Sequence, residues 1–170
     1  MGAGRQTDEA FADWLTPHLA ALRRISRAFA VGADQHDLMQ ELMLAVWKAR
    51  PRFQGQSAPA TFVWRVAHNA ALTWWRGEAR RRRRGLAVEA EMALRLGEGD
   101  DPAETRLLER LYAAIRTLGP VDRSLVLLSL DGLAYGEIAR LHGLSESNVG
   151  VRLTRARQKI SAIVEADDGL

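Results

Sequence analysis

Apolar positions recur at helical spacing along most of the chain, and no stretch alternates convincingly as a half-buried strand would. Phe11, Trp14 and Leu15 begin the first pattern and Thr16-Pro17 restart it. Leu19, Leu22, Ile25 and Phe29 then line one face, with Arg23, Arg24 and Arg27 on the other. Gly32 ends this element. Asp34 reads as an N-cap, with Asp37 placed to reach back to it. The next helix is expected from Gln35 to Ala49, with Leu38, Leu42, Ala45 and Val46 inside and Asp37, Gln40, Glu41 and Lys48 mostly outside. Pro51 stops it. After the turn-rich loop PRFQGQSAP, the longest helical run opens at Ser57 or Ala58 and reaches Arg84. On it Phe62, Val66, Ala70 and Trp74 trace one face, and Trp64, His68, Ala71 and Trp75 a second.

The second half follows a change of character. From Gly85 to Asp101 the acids Glu89, Glu91, Glu98, Asp100 and Asp101 face only Arg95, and Gly97 and Gly99 break any helix near Ala87–Leu96. This reads as an acidic linker between two small helical domains. Asp101-Pro102-Ala103-Glu104 is a helix start, with a cap, a proline and a first-turn acid. Leu107, Leu108, Leu111, Ile115 and Leu118 carry that helix to Gly119-Pro120, and Leu125, Val126, Leu128 and Leu130 carry the next. Past Asp131-Gly132 comes AYGEIARLHGLSESNVGVRLTRAR. Its first helix ends at Gly143, a residue suited to the left-handed cap, and Ser145 caps a second helix with Glu146 in its first turn. Val149, Leu153 and Ala156 face inward; Asn148, Arg152, Thr154, Arg155 and Arg157 face out. Helix, glycine turn and basic second helix together predict a helix-turn-helix rather than a plain helical hairpin. The fold class is therefore all-α: two small helical domains joined by an acidic linker, the second containing a helix-turn-helix.

Composition narrows the chemistry. The 170 residues are 47% apolar and 26% charged, ordinary for a globular chain. The net charge of +3 is modest, so the placement of the arginines matters more than their sum. There is no cysteine, which excludes disulfides and cysteine-based zinc sites. No apolar run is long enough to span a membrane, so membrane insertion is not expected, and MGAGRQTDEA has no signal-peptide core. Cytoplasmic life is the expected setting. His18, His36, His68 and His142 are scattered, read as surface or capping residues, and no carboxylates or histidines stand at metal-ligand spacing. No metal, cofactor or catalytic residue is expected, and an enzyme acting on nucleic acid finds no support.

The tryptophans of the longest run allow two readings. Trp64 and Trp75 either complete a core or form a stacking platform for unpaired bases. The neighbouring Arg65, Arg76 and Arg80–Arg84 favour the platform, because aromatic faces beside cations bind single strands.

Three segments, in this order, carry a resemblance. DLMQELMLAVW (Asp37–Trp47), TFVWRVAHNAALTWWR (Thr61–Arg76) and YGEIARLHGLSESNVGVRLTRAR resemble three functional segments of an extracytoplasmic-function sigma factor, the short two-domain class of the bacterial sigma-70 family. The resemblance runs from about Phe11 to Ile160. It implies a tail over 1–10, sigma domain 2 over 11–84, a linker over 85–101 and sigma domain 4 over 102–165. Asp37, Gln40, Glu41, Met43 and Trp47 match the surface that meets the polymerase clamp. Phe53, Gln54, Gln56 and Ser57 lie in the loop matching the one that encloses a flipped minus-ten base. Trp64, Arg65, His68, Asn69, Trp75, Arg76 and Arg80 lie on the helix matching the one that melts and reads that element. Ser147, Asn148, Val151, Arg152, Thr154, Arg155 and Arg157 lie on the helix matching the one that reads the minus-thirty-five element. The sequence departs from the class twice. Thr73 replaces a usual aspartate, and Gly150 and Val151 stand where basic or hydroxyl residues are common, leaving more of the readout to DNA shape and phosphates.

The resemblance implies core RNA polymerase as partner, through its clamp and flap regions, together with double- and single-stranded promoter DNA. The class often has an anti-sigma factor, which nothing in this chain encodes. The implied mechanism is not catalysis: polymerase binding and capture of extruded bases offset the cost of unpairing the promoter. In this family the linker runs along the RNA path of the polymerase, where its acids suit a basic channel. The competing reading is a free-standing homodimeric helix-turn-helix regulator on a palindromic operator. The first domain, which looks like neither a ligand pocket nor a dimerisation helix, argues against it.

Overall fold

The computed structural model describes residues 10–83 and 102–168. The expected acidic linker, the Asp101 cap, Arg84 and the tail before residue 10 lie outside these residues. Helix fills the described elements, and no strand occurs among them.

Unit 1 is built from residues up to Ser26 and from Ala33 to Arg83. A helical turn over residues 10–15 passes into a 3-10 turn, Thr16–His18, and then into α1, Leu19–Phe29. Helix α2 spans Ala33–Ala49, and after a second 3-10 turn, Arg50–Arg52, α3 spans Pro59–Arg83. Gly32, at φ 56, turns the chain tightly enough that α2 starts at Ala33. Asp34 is therefore inside the first turn rather than capping from outside, where its carboxylate still meets the positive end of the helix. Leu22, Ile25, Leu38, Leu42 and Val46 are fully buried, as their spacing predicts.

The inner stripe of α3 corrects the sequence expectation. Val63, Trp64, Ala67, His68 and Ala71 are buried, whereas Phe62, Val66, Ala70 and Trp74 are half-buried. Alanines 67 and 71 keep the buried face of α3 low, and α2 and α3 form the main packing pair of the unit. Larger side chains along that stripe would hold two helices apart.

Unit 2 contains α4, Pro102–Arg116; α5, Pro120–Leu130; α6, Tyr135–His142; and α7, Glu146–Asp168. By packing, Arg27–Gly32 group with this unit, whereas the sequence boundary at 11–84 keeps them with the first domain. Ala28, Phe29 and Ala30 in that segment are buried. Helix α7 is the spine, packing on α4, α5 and α6. Ile115, Leu125, Leu127, Leu128, Ile138, Val149 and Leu153 make the core. Leu107 and Leu130, expected to face inward, are 54% and 58% exposed. Arg123 is buried at the start of α5 and donates to the carbonyls of Leu118 at 2.9 Å and Arg116 at 2.6 Å. Burial, reinforced by the like charge of Arg116, lowers its pKa, and the carbonyls stabilise the cation in that setting.

Candidate nucleic-acid interface

In unit 1 an aromatic cluster fixes the loop between α2 and α3. The Phe53 ring lies 5.0 Å from Phe62 and 6.0 Å from Trp14, and Trp14 lies 6.5 Å from Phe62. The Arg50 guanidinium sits over Trp14 at 5.6 Å and over Phe11 at 5.8 Å. Such ring pairs add stabilisation beyond the area they bury, so the start of the loop is anchored rather than draped. Beside the cluster opens a cavity of about 330 Å³, lined by Phe53, Gln54, Gln56, Ser57, Arg65 and Asn69 together with Arg52, Phe62 and Val66. Amides, a hydroxyl and cations converge there on an apolar wall. Gln56 Nε2 donates to Gln54 Oε1 at 3.3 Å. Arg52, Phe62 and Val66 are absent from the sequence-derived set. The signal for the last two was present, because Phe62, Arg65, Val66 and Asn69 share one face of a helix.

Trp64 and His68 are not part of this surface. Trp64 is 5% exposed and His68 6%, with their rings stacked at 4.7 Å and 13°. This corrects the platform reading of Trp64: the residue is buried and its ring face is covered by His68, so that face is not open to a base. It also corrects the reading of His68 as a surface residue. Trp75 is half-buried, while Arg65, Asn69, Arg76 and Arg80 are exposed along α3. Arg80 Nε donates to the Arg76 carbonyl at 3.3 Å. The departure at Thr73 is satisfied locally, since its hydroxyl donates to the Asn69 carbonyl at 2.9 Å.

Helix α2 offers a separate surface. Asp37, Gln40 and Glu41 are exposed, Met43 is half-buried, and Trp47 is 50% exposed. Gln40 Nε2 lies 3.0 Å from the His36 ring nitrogen. Leu44, missed by the sequence reading, is 40% exposed on the same stripe, four residues from Gln40 and three from Trp47. Two exposed apolar side chains flanked by acids and an amide form an amphipathic patch.

The helix-turn-helix of unit 2 has the local chemistry expected of it. Glu137 accepts from the Ala134 N–H at 2.9 Å, Gly143 takes φ 65, and Leu144 N–H reaches the Ala139 carbonyl at 3.0 Å. Ser145 Oγ accepts from the Asn148 N–H at 3.2 Å. Ser147, Asn148, Val151, Thr154, Arg155 and Arg157 are exposed on α7. Two arginines are engaged within the protein. Arg152 Nε donates to Asp122 Oδ1 at 2.8 Å, which ties α7 to α5 and neutralises the cation. Arg157 donates to Ser129 Oγ at 2.8 Å and to the Tyr135 hydroxyl at 3.3 Å, which hold the side chain without cancelling its charge. Thr154 donates its hydroxyl to the Gly150 carbonyl at 2.9 Å, leaving it only as an acceptor. His142, half-buried at the end of α6, has its pKa lowered by burial first and by Arg152 second. It is not the surface residue expected.

A groove of about 360 Å³ runs between α4, α5 and the second half of α7. Leu111, Val126, Leu130, Ile160 and Val164 line it, with Arg157 and Glu165 among its polar residues. Among the described residues no group of histidine and carboxylate side chains is arranged to hold a metal ion, and no helix is long and apolar enough to cross a membrane.

Residues 14–81 match the family model described as sigma-70 region 2, and residues 108–160 match sigma-70, region 4. The chain is 30% identical to the RNA polymerase sigma factor CnrH of Cupriavidus metallidurans over 97% of its own length and 92% of that protein. It is 31% identical to the ECF RNA polymerase sigma-E factor of Escherichia coli K12, covering 81% of this chain and 77% of the relative. Among solved structures, the fold is similar to the sigma factor RpoE in complex with the anti-sigma factor NepR from Bartonella quintana, with a TM-score of 0.69 at 21% identity over 94% and 99% of the two chains. It is also similar to CnrH in complex with the cytosolic domain of CnrY, with a TM-score of 0.65 at 24% identity over 94% and 90%.

Proposed function

The chain belongs to the sigma-70 family as an extracytoplasmic-function sigma factor that directs promoter recognition by RNA polymerase, and from that premise we propose which of its surfaces does what. The stripe Asp37, Gln40, Glu41, Leu44 and Trp47 docks on the polymerase clamp, with Met43 beneath it. An interface of this kind gains its affinity from a desolvated aromatic anchor and its orientation from the polar rim, here Trp47 and the acids. The groove of unit 2 takes an apolar segment of the flap. The cavity bounded by Gln54, Gln56, Arg65 and Asn69 receives an extruded minus-ten base, while Arg76 and Arg80 follow the strand. Asn148, Val151, Thr154 and Arg155 read the minus-thirty-five duplex with Ser147 at its edge, and Arg157 meets a phosphate. Arg152 braces the helix through Asp122.

The convergence of the loop and α3 residues on one cavity carries this reading. Duplex opening costs unstacking, and each captured base returns roughly 1–3 kcal/mol. The chain itself performs no chemistry, works in the cytoplasm beside the polymerase, and presents the clamp and flap surfaces to an anti-sigma factor when inactive. This last point is supported by the two structural neighbours, one in complex with the anti-sigma factor NepR and the other with the cytosolic domain of CnrY.

The test is reconstitution with core polymerase, followed by run-off transcription and permanganate probing of promoter thymines. Specific initiation with a melted bubble is expected. Sequence-specific DNA binding by a homodimer that neither needs nor binds core polymerase would overturn the assignment.

A further inference from the structure

The DNA-facing side of α7 has an apolar centre. Val151 is 48% exposed in the second turn of the helix, with exposed Ser147, Asn148, Thr154 and Arg155 around it. Its neighbours leave it prominent. Gly150 has no side chain, Arg152 is drawn to Asp122 at 2.8 Å, and the Thr154 hydroxyl is turned back to the Gly150 carbonyl at 2.9 Å. A valine in a helix is held to essentially one rotamer, so its methyl groups are presented in a fixed direction. Single exposed apolar side chains are ordinary elsewhere on a protein. This one stands among the early turns of a recognition helix, the part that meets base edges. It can donate nothing to a phosphate and nothing to a base nitrogen or oxygen. The major groove contains one apolar group, the C5-methyl of thymine.

We propose that Val151 is a specificity-determining residue that reads the C5-methyl group of one thymine in the minus-thirty-five element. The proposal rests on the reading of α7 as the recognition helix. It names what replaces the hydrogen bonds that a basic or hydroxyl residue would supply at this position. Asn148, one turn earlier, and Arg155, one turn later, supply polar contacts on either side of it.

Uracil in place of thymine removes only the methyl group and leaves every hydrogen-bonding atom in place. The experiment uses holoenzyme reconstituted with core polymerase. A preferred minus-thirty-five sequence is selected from a randomised library, and each thymine on either strand is then replaced singly by uracil. Wild type should lose about fourfold in affinity at one position, the scale of one buried methyl group. Val151→Ala should bind the thymine and uracil forms of that position equally while keeping its other preferences. Val151→Thr, which retains one methyl, should keep part of the discrimination. Wild-type indifference to uracil at every position, or an undiminished penalty in Val151→Ala, overturns the proposal alone. Selection that yields no minus-thirty-five preference overturns it together with the recognition-helix reading.

Discussion

Helices α3 and α7, of 25 and 23 residues, face the same problem with different materials. Each buries one side and, in the proposed function, offers another to nucleic acid. In α7 the apolar residues of the first half that face inward, Val149, Leu153 and Ala156, are few and surrounded by polar ones, so the buried face could be named from spacing alone. In α3 apolar and aromatic residues occupy several faces. Phe62 and Val66 look like a core stripe but line a cavity, while Trp64 looks like a surface tryptophan but stacks on buried His68. Helical period identifies a helix in both cases. It identifies the inner side only where polar residues exclude the alternatives. In the proposed function the two helices also meet DNA differently: α3 borders a concave pocket that would take an extruded base, and α7 presents an exposed face that would enter a duplex groove.

The largest expected effect separates core from interface on α3. Trp64→Ala should destabilise unit 1 by about 3–5 kcal/mol, the usual range for emptying a buried tryptophan site. Chemical denaturation in the absence of DNA measures it. A loss below about 1 kcal/mol would return Trp64 to the surface and erase the contrast with α7.

Next in size, Asn69→Ala should weaken open-complex formation by about 1–3 kcal/mol, the scale of one lost base contact, and leave thermal stability nearly unchanged. Binding to fork-junction promoter, compared with fully paired duplex, isolates the effect. An equal loss on both templates would mean that the cavity does not act on an unpaired base.

A smaller effect of opposite sign is expected on α7. A Cβ built at Gly150 meets only the Tyr135 ring, at 3.6 Å, an ordinary contact. Gly150→Ala should therefore stabilise the protein by about 0.5–1 kcal/mol through reduced unfolded-state freedom. Destabilisation in a thermal melt would show that Tyr135 requires the glycine.

The smallest effect is one of pH. His142 has a folded-state pKa lowered from the ordinary value of 6.5 by burial and by Arg152. The unfolded state then binds the proton more readily, so stability should be level above 6.5 and fall as pH drops below it. His18, also lowered by burial, contributes in the same sense from unit 1. His142→Gln should reduce the slope of stability against pH between about 6.5 and 5 in urea titrations. An unchanged slope would remove His142 from the account.

By itself, the sequence determined the helices, their order and most of their ends, because these depend on local physics. Caps such as Ser145, the left-handed Gly143, Pro102 at a helix start and the period of apolar residues all act within a few positions of one another. It also determined the helix-turn-helix and the exposed stripe of α2, where one face is plainly polar. Tertiary structure decided the rest. Whether Trp64 or Phe62 faces inward depends on where α2 and the Phe53–Trp14 cluster lie. Whether Arg152 is a free cation or a brace depends on Asp122, thirty residues away along the chain. A charge or an aromatic ring has no fixed role until the fold supplies its neighbour. Residues distant in sequence supply those neighbours, and periodicity carries no information about them.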